Sequence, residues 1–274
     1  MYYTKIDQHF NNRKLGWGFN DKNYYSRIFA GVRQPETLVR IIGGILLDEN
    51  YQLITKEQAL EIICKEKEAV CKPSLETGSG RGVMFWETES ERMQIEGFLN
   101  DKENKDYIIQ KTIIQHPDLD KVHKGSVNTL RIVSLLMPEG VYILSSNLRM
   151  GVDDSRIDNV SAGGISCGIN VDGRLKKYAS YAYSGDRLER HPQGLLFEGF
   201  EIPSYQMAVE LVKNSAPMIP HFRLVSWDIA IDKSGMPVLI EANMRKGMIN
   251  LNQFNNGPLF GNLTDRVLDE VFEK

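Results

Sequence analysis

Residues 224–243 limit most strongly what this chain can fold into, because they read as two strands about a tight turn with oxygen-bearing side chains on one face. Side chains alternate along a strand, so Trp227, Ile229 and Ile231 share one face and Ser226, Asp228 and Asp232 the other. In the second strand Val238, Ile240 and Ala242 form an apolar face, while Glu241 and Asn243 project from the opposite side. Asp232-Lys233-Ser234-Gly235 is a hairpin signal. A two- or four-residue loop sets Asp228 opposite Glu241 or Leu239, on the polar face either way. Two carboxylates and an amide oxygen gathered there suit a hard cation such as Mg²⁺, which takes one or two carboxylates and keeps water and substrate phosphates as its other ligands. The other reading is a solvated polar sheet face.

Upstream, residues 1–50 are rich in Tyr, Asn and Arg with weak periodicity and predict short helices and loops. Thr55-Lys56-Glu57-Gln58 has the form of a capping box, and Ala59, Leu60, Ile62 and Ile63 behind it predict a helix to about Lys67. Ala69-Val70-Cys71-Lys72-Pro73 predicts a short strand that proline ends. In the loop Gly78-Ser79-Gly80-Arg81-Gly82, alternate glycines let backbone N–H groups approach an anion. A strand, 83–86, follows the loop, which excludes a Walker P-loop and a dinucleotide fingerprint, since both open a helix. Lys72 would set an ammonium beside phosphate oxygens; a plain flexible hairpin is the alternative.

A second capping-box pattern over 88–91 predicts a helix to about Leu99, and Tyr107-Ile108-Ile109-Gln110 a strand. Strands are expected over 127–137 and 141–150, with Thr129, Arg131 and Val133 on one face of the first and Asn147 and Arg149 on one face of the second. Arginine on a central strand is costly to bury unpaired, so each either meets a carboxylate or faces an anionic ligand. A polar loop carrying Asp158-Asn159 and Gly163-Gly164 follows, then a hairpin about Asp172-Gly173, a less regular stretch, and a helix over 203–214. After Asn243 come Met244-Arg245-Lys246-Gly247, a polar Asn-rich segment and a closing helix from about Thr264.

A length of 274 residues suits one large or two modest domains. The balance of 33 basic against 36 acidic side chains argues against a nucleic-acid or membrane-surface partner. Cys64, Cys71 and Cys167 form neither a metal spacing nor an even disulfide set, which predicts a reducing cytosol. The apolar run 41–47 is too short to span a bilayer and the first residues lack a signal-peptide core. A cytoplasmic protein without membrane insertion is expected.

Taken in order, Val70-Cys71-Lys72-Pro73, the Gly78–Gly82 loop, Tyr107-Ile108-Ile109-Gln110, and Asp228 followed by Glu241-Ala242-Asn243 resemble the ATP-grasp superfamily. Asn128-Thr129-Leu130-Arg131, Asp158-Asn159 with Gly163-Gly164, His191-Pro192 and Trp227-Asp228-Ile229-Ala230 resemble, within it, the sugar-transfer-associated ATP-grasp family, whose members accompany polysaccharide or cell-surface glycan biosynthesis. The resemblance spans roughly residues 20–265 and implies an α+β fold of two subdomains with antiparallel sheets that grip ATP. It divides the chain into an N-terminal helical and loop segment, 1–50, too short for a front Rossmann-like domain; a small subdomain with the glycine-rich lid, 51–111; and a large subdomain with metal and substrate sites, 112–274.

The resemblance also implies roles. Lys72 would hold the α- and β-phosphates, Gly78, Ser79, Gly80, Arg81 and Gly82 would cover the triphosphate, and Gln110 and Lys111 would form the hinge that reads adenine. Asp118 or His116 would meet the ribose; Asp228, Glu241 and Asn243 would hold one or two Mg²⁺; Arg131 and Arg149 would meet the γ-phosphate or an acyl phosphate. Asp158, Asn159 and Arg245 are candidate substrate contacts. The implied reaction joins a small-molecule carboxylate to an amine through an acyl phosphate. Such chemistry rests on positioning and charge neutralisation, in keeping with the lack of a Ser/His/Asp or Cys/His set.

The chain departs from the family pattern in places. Arg33 and Arg40 are candidates for a second upstream phosphate-binding cation, Gln110-Lys111 stands where a glutamate is common, and Arg245-Lys246-Gly247 stands where Pro-Gly is frequent. The competing readings are a kinase-like phosphotransferase with Asp158 or His191 as base, and a non-catalytic ATP-binding partner of a glycosyltransferase system. His9, His123 and His221 are expected to be structural or solvent-facing.

Overall fold

The structure, a computed structural model, describes residues 2–75, 80–181, 184–245 and 249–272. It is an α+β fold with two antiparallel sheets, and the chain divides into one unit of Trp17–Ile113 and another of Met1–Gly16 with Ile114–Lys274.

In the smaller unit β1 (Thr37–Ile42), β2 (Ile45–Leu47), β3 (Glu68–Pro73), β4 (Met84–Glu87) and β5 (Tyr107–Lys111) form a sheet of order β2-β1-β5-β3-β4. The helix Lys56–Cys64 opens with the expected capping box: Gln58 N donates to Thr55 Oγ1 at 3.2 Å and Thr55 N to Gln58 Oε1 at 2.8 Å. Its Ala59 and Ile63 pack with Val39, Ile41, Ala69, Cys71 and Ile109 into the core. Two expectations need correction. Residues 37–47 are strands rather than helix and loop, because the β-branched Thr37, Val39 and Ile41 alternate in strand period with Val39 and Ile41 turned to the core. The second capping box does not form. Thr88 Oγ1 donates instead to the Glu66 carbonyl, the Glu91 carboxylate accepts from Glu87 N at 2.6 Å, and the helix begins at Arg92.

In the larger unit β6 (Thr129–Met137), β7 (Gly140–Met150), β8 (Ile165–Ile169), β9 (Leu175–Tyr181), β10 (Arg187–Leu188), β11 (Leu224–Ile231) and β12 (Pro237–Asn243) form a sheet of order β10-β9-β8-β7-β6-β11-β12. On one face the cross-strand row Ile229, Leu130, Leu148, Cys167 and Ala179 is fully buried. The helix Tyr205–Ser215 packs there, with Tyr205 OH 2.9 Å from Ser146 Oγ. The opposite face is apolar only at one end, where Val133, Leu135 and Leu224 meet Ile6 and Phe10 of helix Tyr2–Phe10 and Val267 of helix Thr264–Phe272. Its middle is polar.

Two local features position that polar face. In the β11–β12 hairpin Asp228 is register partner of Glu241, but Ile229 pairs with Leu239, so Ile240 is an extra residue in a bulge. Leu239 therefore joins Ile229 and Trp227, and Val238 falls opposite Ala230. This corrects the expected Val238/Ile240/Ala242 face. Glu241 and Asn243 remain on the side of Asp228 and Ser226. The second feature is the helix Ile249–Asn256 in the Asn-rich segment, for which the sequence carries no helical signal. Asparagine is a poor helix former; here tertiary bonds hold the helix on β7, β8 and β9. Asn252 Oδ1 accepts from Ser145 Oγ at 3.1 Å and Asn147 Nδ2 at 2.6 Å, and Asn256 Nδ2 donates to Asn147 Oδ1 at 3.0 Å.

Candidate functional site

In the smaller unit β3 and β5 set Val70 opposite Gln110 and Lys72 opposite Ile108, so Lys72 and Gln110 share the face turned away from the Ala69/Cys71 core. Gln110 Nε2 donates to Pro35 O at 3.2 Å, whereas its Oε1 is buried without a hydrogen-bond partner among the described residues, as is Thr112 Oγ1 two residues on. Buried orphan acceptors are rare, and these two fit an edge that a nucleobase amino group could satisfy. The Lys111 ammonium is engaged by Glu36 Oε1 at 2.7 Å and Glu66 Oε1 at 3.0 Å, which hold its pKa above the ordinary value, and its backbone N–H donates to Glu36 O at 2.9 Å. Gly78 and Ser79 lie outside the described residues. Gly80 and Gly82 have φ of +70° and +78°, and a Cβ on Gly82 would stand 2.9 Å from Pro73 Cγ, so the loop returns close to the end of β3 only with glycine there.

Arg40 lies in the same cross-strand row as Ile108 and Lys72, but its guanidinium is locked. It donates to Asn23 O at 2.6 Å and Ser26 Oγ at 3.1 Å and lies 4.3 Å over the Tyr51 ring; burial lowers its pKa. Arg40 thereby pins the segment that carries Lys22. The Lys22 backbone N–H donates to Ser74 O at 2.9 Å, two residues beyond Lys72, and Asp21 Oδ1 caps the turn by accepting from Asn23 N at 2.9 Å. Lys22 escaped the sequence reading. The available signal was the capping Asp21 just before it.

In the larger unit the polar face gathers Asp228, Arg131, Arg149, Asp158, Glu241 and Asn243. Arg131 Nε and Nη2 donate to Asp228 Oδ1 and Oδ2 at 2.5 and 2.7 Å. Arg149 bridges two carboxylates, with Nη1 3.1 Å from Asp228 Oδ2 and Nη2 3.1 Å from Asp158 Oδ1. Each arginine therefore meets a carboxylate. Asp228 is 4% exposed, so the solvated-face alternative does not describe it. Burial pulls the Asp228 carboxyl upward, but Arg131 and Arg149 outweigh it and hold the group below its ordinary value. Burial likewise disfavours the Arg131 cation, and the charges of Asp228, Glu241 and Asp158 more than offset that.

Asn243 Nδ2 donates to Asp228 Oδ2 at 3.3 Å and to Ser226 O at 3.1 Å. Two carboxylates and an amide, with Glu241 beside Asp228 in register, fit a hard cation in donor chemistry. Asp228 presents its oxygens to arginine, so an ion there would share it with the Arg131–Arg149 fork. Among the described residues no three His, Cys, Asp or Glu side chains gather as a metal cluster.

Asp158 anchors the loop after β7: its Oδ2 accepts from Thr129 N at 3.0 Å and from Thr129 Oγ1. Asn159 Oδ1 caps the following turn, accepting from Ser161 N at 2.8 Å. Arg245 packs its methylenes on Gly16, whose added Cβ would stand 3.0 Å from Arg245 Cδ; Lys246 and Gly247 lie outside the described residues. Asp118 stands partly exposed in the helical turn Pro117–Asp120, where Lys121 Nζ at 2.6 Å lowers its pKa. His123 and His191 are buried pins. His123 bonds Ser126 Oγ and Asp153 O, both at 2.9 Å, and His191 Nε2 bonds Gly151 O at 2.8 Å, so both hold the loop that carries Asp158.

The description "Sugar-transfer associated ATP-grasp" belongs to a family model that matches residues 3–267. Among solved structures the chain is similar to the ATP-grasp ligase PsnB complexed with minimal precursor, at 12% identity and a TM-score of 0.54 over 95% of this chain and 64% of that one. It is also similar to the D-cycloserine synthetase DcsG, at 11% identity and a TM-score of 0.52 over 90% of this chain and 70% of that one. The chain thus spans just under two thirds of PsnB. Comparison with curated proteins gives no match. At these identities the structural likeness shows the shared fold, and the near-complete family match decides membership: this chain belongs to the sugar-transfer-associated ATP-grasp family.

Proposed function

We propose that the protein is an ATP- and Mg²⁺-dependent carboxylate–amine ligase acting through an acyl phosphate on a sugar, amino acid or peptide in glycan-related biosynthesis. The observation that carries this reading is the Asp228–Arg131–Arg149 fork beside Glu241 and Asn243, on the polar face of a family member's larger sheet. Solved relatives lend support: PsnB is described as an ATP-grasp ligase and was crystallised with Mg and ADP. In this reading Lys72, Lys22 and the backbone of the glycine loop neutralise the α- and β-phosphates, and Gln110 with Thr112 meets the adenine edge. Glu241, Asn243 and one oxygen of Asp228 hold Mg²⁺, which when bound supplies charge neutralisation of the phosphate oxygens.

Arg131, through Nε and Nη2, and Arg149, through Nη1 and Nη2, each commit two of their five N–H donors to carboxylates; with the others they orient the attacking carboxylate and the transferring phosphoryl group. The carboxylate oxygen bonds to the γ-phosphorus as ADP leaves. The amine nitrogen then bonds to the acyl carbon, inorganic phosphate departs with the electron pair of the C–O bond, and the amine proton passes to phosphate or water.

The phosphotransferase alternative loses its bases. Asp158 spends both oxygens on Thr129 and Arg149, and His191 bonds Gly151 O through Nε2 while its Nδ1 accepts from Gln193 N at 3.1 Å. The test is ADP release over paired carboxylates and amines. Release that requires both partners supports the ligase; release with an alcohol and no carboxylate, or none across the panel despite ATP binding, overturns it.

A further inference from the structure

At the outer edge of the larger unit's sheet, β9, β10 and the end of helix Ile249–Asn256 border a half-open cavity of about 230 Å³. Lys176, Lys177, Tyr178 and Ser180 of β9, Arg187 of β10, and Phe254 and Asn255 of the helix are among the residues that line it. Three of these side chains are cations and no carboxylate lines the cavity among the described residues. Lys177 is the one drawn outward, to Glu189 at 3.4 Å. Lys176 is half-buried and its ammonium donates to Asn255 O over a long 3.4 Å; desolvation lowers its pKa, so its charge is under-compensated where it stands. Tyr178 and Phe254 are 39% and 54% exposed and offer flat apolar walls, with the Arg187 guanidinium 5.8 Å from the Tyr178 ring. A partly desolvated ammonium and a guanidinium beside two aromatic faces select an anion carried on a flat or apolar body.

The cavity has a fixed relation to the fork. Arg149 pairs in register with Ser166, Ser166 with Ser180, and Ser180 with Arg187, so one row on one sheet face joins the two arginines. Three strand spacings put them roughly 15 Å apart. Asn255 spans the row between them, donating to Ser166 Oγ and accepting from Ser180 Oγ, both at 2.8 Å. The helix that walls the cavity is thus the same one that bonds Asn147, the register partner of Arg131.

We propose that this cavity is a recognition subsite for an anionic group, carboxylate or phosphate, on the non-reacting part of the acceptor. The placement on an acceptor rests on the ligase reading; the anion site itself does not. The test is titration of the full chain, without ATP, with hippurate, phenyl phosphate and neutral benzyl alcohol, followed by NMR shifts of the Ser180, Phe254 and Asn255 amides. Saturable shifts with the two anions, weakened roughly tenfold in Arg187→Gln and again in Lys176→Met, are expected, the loss of about one charge-assisted contact each. A tighter phenyl phosphate identifies a phosphate-bearing acceptor, a tighter hippurate a carboxylate-bearing one. No saturable shift from either anion, benzyl alcohol binding equally well, or both variants binding like wild type overturns the subsite. Thermal melting verifies that the variants fold; Arg187, exposed on a two-residue edge strand, is the safer of the two. Anion binding without any ADP release would leave the subsite and sink the ligase, and ADP release without anion binding would do the reverse.

Discussion

Asp228→Asn should destabilise the protein before it says anything about catalysis. The carboxylate is 4% exposed and accepts two hydrogen bonds from Arg131 and one from Arg149. Removing one partner of a buried ion pair costs about 3–5 kcal/mol, because the other charge is left uncompensated. Here Arg149 keeps Asp158 at 3.1 Å, and Glu241 and Asp158 still act on Arg131, which favours the lower part of that range, about 3–4 kcal/mol. With a urea slope of about 2–3 kcal/mol/M the midpoint should fall by more than roughly 1 M. Urea unfolding followed by fluorescence reads this well, since Trp227 is fully buried next to the substitution. A loss below about 1 kcal/mol would refute the fork as described, as would additivity within about 0.5 kcal/mol in a double-mutant cycle with Arg131→Gln.

The pH profile should agree. The Asp228 pKa is depressed in the fold, so its contribution is present above the unfolded carboxylate value of about 3.9 and is lost as pH falls through the lower folded value. It follows that loss of activity in Asp228→Asn cannot by itself assign a metal ligand. Glu241, the half-buried register partner of Asp228, is the cleaner probe.

Glu241→Gln should lower Mg²⁺-dependent ADP release by roughly 10²-fold while the unfolding free energy falls by only about 1 kcal/mol, the share of its charge acting on Arg131; full activity would remove Glu241 from the metal set. Native protein should titrate with one equivalent of a thiol reagent, at half-buried Cys64, and with three only after denaturation, because Cys71 and Cys167 are fully buried, with burial raising both pKa values, that of Cys167 to about 12. Burial lowers the His191 pKa, so the unfolded chain binds its proton more readily, and that share of stability is present above about pH 6.5 and lost as pH falls toward the folded value. Thermal melts from pH 7.5 to 5 should therefore slope more steeply in wild type than in His191→Gln, and equal slopes would contradict the burial of His191 as a neutral imidazole. Gly164→Ala should cost about 1–3 kcal/mol, because its Cβ would stand 2.8 Å from the backbone oxygens of Asp158 and Met150, neither of which is a flexible side-chain end; an unchanged melting temperature would show that the loop yields.

Much of this arrangement was legible because it follows from period and covalent order. Alternation alone put Asp228, Arg131 and Arg149 on one face of their strands, and the register confirms the row Asp228, Arg131, Asn147. What alternation cannot supply is which of two electrostatic solutions a buried arginine takes. A carboxylate partner and an anionic ligand predict the same sequence, and only the distances from Arg131 and Arg149 to Asp228 separate them. The Ile240 bulge was hidden for a similar reason, since one extra residue on an apolar strand leaves no compositional trace.

The helix Ile249–Asn256 was hidden for the opposite reason: its local propensity argues against it, and the bonds that fix it come from serines and an asparagine about 70 to 110 residues earlier. That dependence has a functional meaning in the reading proposed here. The helix can form only on an assembled sheet face, so Asn147 beside Arg131 and the cationic cavity beside Arg187 are completed together, by the same asparagines. A chain that reads an anion at one end of a row and neutralises charge at the other needs the spacing between them held rigid. Side-chain amides bonding across three strands do that, where an apolar helix would pack as tightly but fix no register.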